Sequence, residues 1–237
     1  MSEWKAKRFW DAASVEEVDG GFTVRLDGRP VKTPAKAPLV VPTQALAACI
    51  AAEWDAQEGE VNPTNMPFTR SANAAIDKVT QQHAEVADLI AAYGDADLTC
   101  YRADSPAELV ARQAQAWDPL IEWIHQRHGV RLVPVSGVMH QPQDIRALER
   151  LSAQTHALDA FALTAFHDLV GMSGSLVIGF AALENLHPAE HLWALSRIDE
   201  TYQEELWGKD EEASELAAKK QSDFLHAKAF YDLSRPI

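Results

Sequence analysis

Cysteine is nearly absent from this chain. Cys49 and Cys100 are the only two in 237 residues, and no CxxC pair exists. Both lie in apolar segments, so the reading is two buried, reduced thiols in a cytoplasmic protein rather than a disulfide framework. Basic residues are scarce as well: 21 Lys and Arg stand against 35 Asp and Glu, a net charge of −14. No Lys/Arg cluster supplies the footprint of a duplex or membrane binder, so neither nucleic acid nor membrane insertion is expected. Long apolar runs are missing too. The longest, "LVGMSGSLVIGFAAL" (Leu169 to Leu183), is too short for a bilayer and rich in small residues. It predicts one buried helix, packed closely by its neighbours. The opening "MSEWKAKRFW" has no apolar core and no Arg/Ser-rich character, so no signal or transit peptide is expected there. Walker A and GxGxxG sequences are absent, so no nucleotide cofactor is expected.

What is present is an ordinary globular composition, 47% hydrophobic and 24% charged. In "VEEVDGGFTVRLDGRPVKT", Asp19-Gly20 and Asp27-Gly28 are hairpin turn signals. Between them Phe22, Val24 and Leu26 alternate with Thr23 and Arg25, the pattern of a half-buried strand. Pro30 predicts an edge strand next, and "PLVVP" a further short one. The period then changes. Thr43 caps a helix expected over Gln44 to Gln57, with Leu46, Ile50 and Trp54 on one face. Further helices are expected over Phe68 to Lys78, His83 to Tyr93 and, after a Ser105-Pro106-Ala107-Glu108 capping box, up to His128 with a kink at Pro119. The rest reads as helices over Gln143 to Asp159, Phe161 to Leu183, Pro188 to Trp207 and Glu211 to Phe230. The class is α+β: a small β-rich N-terminal domain over 1–63 with one helix, then a larger, mainly helical domain over 64–237.

Candidate chemistry is thin. "HPAEH" (His187 to His191) matches the H-x-x-E-H zinc signature, but Pro188 suits the first helical position and should leave His187 pointing away from the helical row. His125 and His128 suit a helix C-terminus and have no further ligand nearby in sequence. A zinc hydrolase using His187, His191 and Glu200 is nevertheless the rival reading, with a scaffold for some other protein as a third. Neither a catalytic residue nor a metal site is expected on the main reading.

The densest charge lies in "IDETYQEELWGKDEEA" (Ile198 to Ala213), which holds seven carboxylates and one Lys beside Tyr202 and Trp207. Leu195, Ile198, Tyr202 and Leu206 fall on one helical face and are expected to be packed. Gly208 is expected to end this helix as an αL cap, and Asp210 to cap the next, with Glu211 and Glu212 in its first turn. Two acidic helix surfaces should meet at a corner. A second polar row is Thr69, Asn73 and Asp77, flanked by Arg70.

Seven segments, in order, resemble one family. They are "GGFTVRLDGRPVKTP" (Gly20 to Pro34), "AAEWDAQ" (Ala51 to Gln57), "MPFTRSANAAID" (Met66 to Asp77), "DLTCYRAD" (Asp97 to Asp104), "WDPLIEW" (Trp117 to Trp123), "SGSLVIGFA" (Ser173 to Ala181) and "DETYQEELWGKDEEA" (Asp199 to Ala213). The family is the assembly chaperone for the alpha-subunit of the F-type ATP synthase catalytic head. Ser71 departs from it, standing where a larger apolar residue is expected. The resemblance implies a non-enzymatic, cofactor-free protein that binds the unassembled alpha-subunit before it meets the beta-subunit. It implies a bacterial cytoplasm for a chain without a transit peptide, and nothing demands more than a monomer. It points to the corner after the Trp-Gly pair, so the expected partner contacts are Glu200, Gln203, Glu204, Trp207, Asp210, Glu211 and Glu212. Arg70, Asn73 and Asp77 are the second choice.

Overall fold

The computed structural model describes residues 7–137 and 139–236. The chain forms two compact units. One comprises residues 1–83, 160–165 and 229–237, and the other residues 84–159 and 166–228.

The first unit opens with strands β1 (Ala13–Val18) and β2 (Gly21–Leu26), paired antiparallel from Ala13↔Leu26 to Val18↔Gly21. The second hairpin turn holds Asp27 at φ 46° and Gly28 at φ 79°, the doubly positive backbone that the Asp-Gly pair favours. Strand β3 (Arg29–Pro30) follows, and β4 (Val40–Val41) also pairs with β2. Val24 and Leu26 are buried as their alternation predicts. Thr23 is buried as well, because its hydroxyl donates to the Leu39 carbonyl at 2.7 Å.

Helix α1 (Gln44–Asp55) lies on this sheet and is capped by Thr43, which accepts from the Leu46 N–H. Leu46 and Ile50 enter the core with Trp10, Leu39 and Val41. Trp54 is half-buried rather than a full core residue, and meets Trp10 edge-on at 5.3 Å. Helix α2 (Pro67–Ala74) packs on α1 and runs into a π-helical turn, Ala75–Val79. This packing keeps the chain beyond residue 63 in the first unit up to residue 83, past the break expected at 63/64. The unit is completed from far along the chain. Ala165 and Phe230 join its core, Phe161 stacks on Phe230 at 6.1 Å, and the Thr43 hydroxyl donates to the Leu233 carbonyl.

In the second part of the chain, α3 (His83–Ala91) ends in 3-10 turns, Ala92–Ala96 and Leu98–Cys100. Strand β5 (Tyr101–Arg102) pairs in parallel with β6 (Val135–Ser136). Between them α4 (Ala107–His128) continues unbroken through Pro119. The expected capping box does not form. Pro106 itself is the N-cap residue, the Ser105 hydroxyl turns to Asp104, and Glu108 pairs with Arg112. Helices α5 (Ile145–His156) and α6 (Ala160–Ser173) follow.

The single helix expected over Phe161 to Leu183 is two, because Gly174 at φ 71° stops α6 and Ser175 caps α7 (Leu176–Leu183). The long helix expected from Pro188 is also two, α8 (Ala189–Leu195) and α9 (Ile198–Trp207). Pro188 is the N-cap residue rather than the first helical one. The last element is α10 (Glu211–Ser234).

The core of the second unit gathers Trp117, Leu120 and Ile124 of α4, Phe166 and Val170 of α6, and every residue of α7. Trp117 is fully buried and its indole N–H donates to the Leu195 carbonyl at 2.8 Å. The small residues of this region serve close packing. A Cβ on Gly179 would stand 2.6 Å from Val170 Cγ2 and 2.8 Å from Phe166 Cε2. Alanine gains about 1 kcal/mol over glycine in a helix interior, but overpacking costs about 1–3 kcal/mol. Gly179→Ala is therefore expected to lower stability by up to about 2 kcal/mol, read as a lower urea midpoint. A raised midpoint would contradict that close approach.

Candidate functional site

The acidic corner is built by the end of α9 and the start of α10. Gly208 ends α9 at φ 86° and ψ 166°, a positive-φ extended conformation rather than the expected αL cap, and its N–H reaches the Glu204 carbonyl. Asp210 then caps α10, accepting from the Ala213 N–H at 2.7 Å. Glu211 and Glu212 occupy the first turn, next to the free N–H groups.

The seven carboxylates sort by their partners. Asp199 accepts from the Gln113 amide at 2.6 Å. Glu200 and Glu204 flank the Arg197 guanidinium at 2.6 and 3.8 Å. Glu205 pairs at 2.6 Å with Arg112, which also lies over the Tyr202 ring. Asp210 is the cap. Among the described residues, only Glu211 and Glu212 of the seven have neither an ion pair nor a side-chain hydrogen bond, and both are exposed.

The apolar face divides as well. Leu195 and Tyr202 are buried, but Leu206, expected to be packed, is 56% exposed and Trp207 is 78% exposed. Glu200, Gln203, Glu204, Trp207 and Asp210 line one open groove of about 310 Å³ with Leu216, Ala217 and Lys220. Glu211 and Glu212 stand beside it on the surface. Leu216, 54% exposed, belongs to this surface and was not singled out in the sequence, where it reads as one more helical leucine.

Arg70, Asn73 and Asp77 lie in the first unit and line a second groove of about 550 Å³ with Trp54 and Met66. What aims α2 into this position is Glu53 of α1. Its carboxylate accepts from the Phe68 N–H at 2.6 Å, the Thr69 N–H at 2.8 Å and the Thr69 hydroxyl at 2.6 Å, satisfying the first turn of α2. Burial raises the Glu53 pKa against those three donors. Asp77 is fixed from the other side, accepting from the Thr33 hydroxyl at 2.6 Å and the Ala35 N–H at 3.0 Å.

The segments singled out in the sequence therefore meet in pairs. "AAEWDAQ" joins "MPFTRSANAAID" through Glu53, and that segment joins "GGFTVRLDGRPVKTP" through Asp77. "DLTCYRAD" joins "SGSLVIGFA" through Asp97, which accepts from the hydroxyls of Thr99 and Ser175 and the N–H groups of Thr99 and Val177. It joins "WDPLIEW" through Arg102 and Asp118 at 2.8 Å. These contacts explain why those segments carry polar residues in otherwise apolar surroundings.

A family model described as the ATP12 chaperone protein matches residues 7–125. The chain belongs to the ATP12 chaperone family. This is a family of non-catalytic chaperones, which overturns the zinc-hydrolase alternative. The mitochondrial protein atp12 of Schizosaccharomyces pombe is 29% identical over 223 residues, 89% of this chain and 76% of that protein. The crystal structure of Atp12 from Paracoccus denitrificans superposes with a TM-score of 0.95 at 46% identity, covering 98% of this chain and all of that one. The Atu1473 protein of Agrobacterium tumefaciens gives 0.91 at 39% identity over 97% of this chain and 86% of its own. The ATP12 architecture, an N-terminal antiparallel sheet followed by a mostly helical region, agrees with the α+β class read from the sequence.

The histidines take ordinary places within it. Contrary to expectation, the rings of His187 and His191 do meet, at 5.0 Å. Pro188 as the cap leaves His187 folded back over the first turn. Among the described residues no third His, Cys, Asp or Glu joins them to form a metal-binding group. His125 and His128 have separate partners, Arg131 for the first and Gln154 and Glu184 for the second. Cys49 and Cys100 are free, and burial together with nearby Asp97 pushes the Cys100 pKa up to about 12, which leaves it an inert thiol. No helix among the described residues is long and apolar enough to cross a membrane.

Proposed function

We propose that this ATP12-family chaperone binds the unassembled alpha-subunit of an F-type ATP synthase and covers its subunit interface until the beta-subunit replaces it. The observation that carries the reading is the corner itself: an indole 78% exposed, beside two glutamates that no cation neutralises among the described residues. Exposed tryptophan is a common energetic anchor of protein interfaces. Unpaired surface charge sets encounter rate and specificity more than it sets affinity. A chaperone needs that combination, because it must cover an aggregation-prone surface and still release it. Glu200, Gln203, Glu204 and Asp210 shape the groove beside Trp207, and Glu211 and Glu212 supply the free charge. The client patch is accordingly apolar with basic flanks. The chaperone acts as a monomer, in a bacterial cytoplasm where its two thiols stay reduced.

The test is recovery of the tagged chain from its own cells when beta-subunit is in short supply, with the captured chains identified by mass spectrometry. Alpha-subunit is expected, and Glu211→Lys/Glu212→Lys should reduce its recovery at least tenfold. Undiminished recovery with the double variant would remove the corner from the interface. No alpha-subunit under any condition would end the chaperone reading for this client.

A further inference from the structure

The second groove differs from the corner in charge. Lys32, Lys36, Arg70 and Lys78 stand around it, in a protein whose net charge is −14. Among the described residues none of the four belongs to an ion pair within 4.0 Å. Asp77 is the one anionic residue lining the groove, and its oxygens are engaged by Thr33 and Ala35. Four cations so placed leave a local positive field on an otherwise acidic molecule.

The floor is not built for a bare anion. Trp54, Val61 and Met66 line it with apolar surface, and a phosphate or other small ion has no use for that.

From the cationic rim and the apolar floor, we infer that the groove receives an acidic segment of the client, one apolar side chain seated on Trp54 and Val61 and its carboxylates facing Arg70 and the lysines. This rests on the reading of the protein as a chaperone of the alpha-subunit. It gives the chaperone two contacts of opposite charge, one in each unit: an acidic corner for a basic patch and a basic groove for an acidic segment. Two weak, chemically distinct contacts raise specificity while each remains separately releasable.

The probe is an array of 15-residue peptides spanning the alpha-subunit, read with the full-length chaperone, followed by fluorescence anisotropy on the strongest peptides. Acidic peptides containing Leu, Ile, Val or Phe are expected to bind, more weakly as salt rises from 50 to 300 mM. Arg70→Glu/Lys78→Glu should weaken them at least tenfold, and Arg70→Gln/Lys78→Gln by less. The corner variant Glu211→Lys/Glu212→Lys should leave them unchanged. The rim residues are surface charges, and unaltered melting temperatures will exclude misfolding. Acidic peptides that bind the rim variants as well as the parent would overturn the inference. So would an array that yields only basic peptides. If no peptide binds while intact alpha-subunit is still captured, the groove inference fails and the chaperone reading stands. If intact alpha-subunit is not captured either, both fall.

Discussion

Asp97→Ala is expected to destabilise the protein by about 4 kcal/mol, because it leaves two buried N–H donors without an acceptor. The side chain is fully buried. Its Oδ1 accepts from the Thr99 N–H at 2.9 Å and from the Thr99 and Ser175 hydroxyls at 2.7 Å, and its Oδ2 accepts from the Val177 N–H at 3.0 Å. Alanine leaves the Thr99 and Val177 N–H groups buried without acceptors, at about 1–3 kcal/mol each. The hydroxyls can turn to other carbonyls, so they add less. Because a native protein is stable by only about 5–15 kcal/mol, about a quarter or more of that margin would go. The melting temperature should fall by roughly 10 °C, taking about 2–4 °C per kcal/mol for a chain of this size. A fall below 3 °C would mean that water or rearrangement satisfies those donors.

The same residue predicts a pH effect. Burial raises the Asp97 pKa above its ordinary 3.8, and the hydrogen bonds from Thr99, Val177 and Ser175 oppose that rise without cancelling it. The folded state therefore holds the proton more tightly than the unfolded state does. This contribution to stability is present below the ordinary carboxylate value and is lost as the pH rises through the higher folded-state value. Asp97→Asn cannot titrate, so its deficit relative to the parent should shrink as the pH is raised from about 4.

Trp207→Ala is expected to weaken alpha-subunit binding by about 2 kcal/mol, or roughly 30-fold, the scale of an interface anchor. The indole is 78% exposed, so the free chaperone should lose little stability. That separation distinguishes an anchor from a core residue. Trp117, fully buried and bonded to Leu195, should behave in the opposite way, its truncation acting on folding first. Titration of isolated alpha-subunit, with melting curves as the control, reads both quantities. A Trp207→Ala chaperone that binds like the parent would show that exposure here serves no contact with this client. One that melts well below the parent would show that Trp207 packs in the folded protein.

Local signals were the legible ones. Thr43 and Asp210 cap their helices as their residue types and positions predict, because a side-chain oxygen reaching an N–H three residues on depends on the adjacent chain alone. The Asp27-Gly28 turn was legible for the same reason. The division of Leu169 to Leu183 into two helices was not, since Gly174 within an apolar run reads equally well as a small residue inside one helix. Leu206 was placed on the packed face by periodicity alone. Periodicity says which side of a helix a residue takes, not where the neighbouring helices end.

For the candidate site, the sequence alone brought out the corner: acidic residues and a tryptophan at a helix junction, with Asp210 at the cap. Sorting its carboxylates took the fold, because Arg112, Gln113 and Arg197 decide which of them have partners, and two of those three lie more than eighty residues away along the chain. The basic groove took the fold too. Lys32 and Lys36 come from a loop of the sheet unit, Arg70 and Lys78 from α2 and the turn after it, and no stretch of sequence shows them as a cluster.

Turn chemistry, caps and the change of period from two to 3.6 determined that a β-rich start precedes a helical remainder, and the run of motifs determined the family. Tertiary structure decided that residues 160–165 and 229–237 return to the first unit, that Asp97 is sealed among four donors, and that Glu211 and Glu212 meet no cation among the described residues. The difference is one of range. Backbone preferences act over a few residues and can be read in order, whereas burial and ion pairing depend on which distant side chains arrive at the same place.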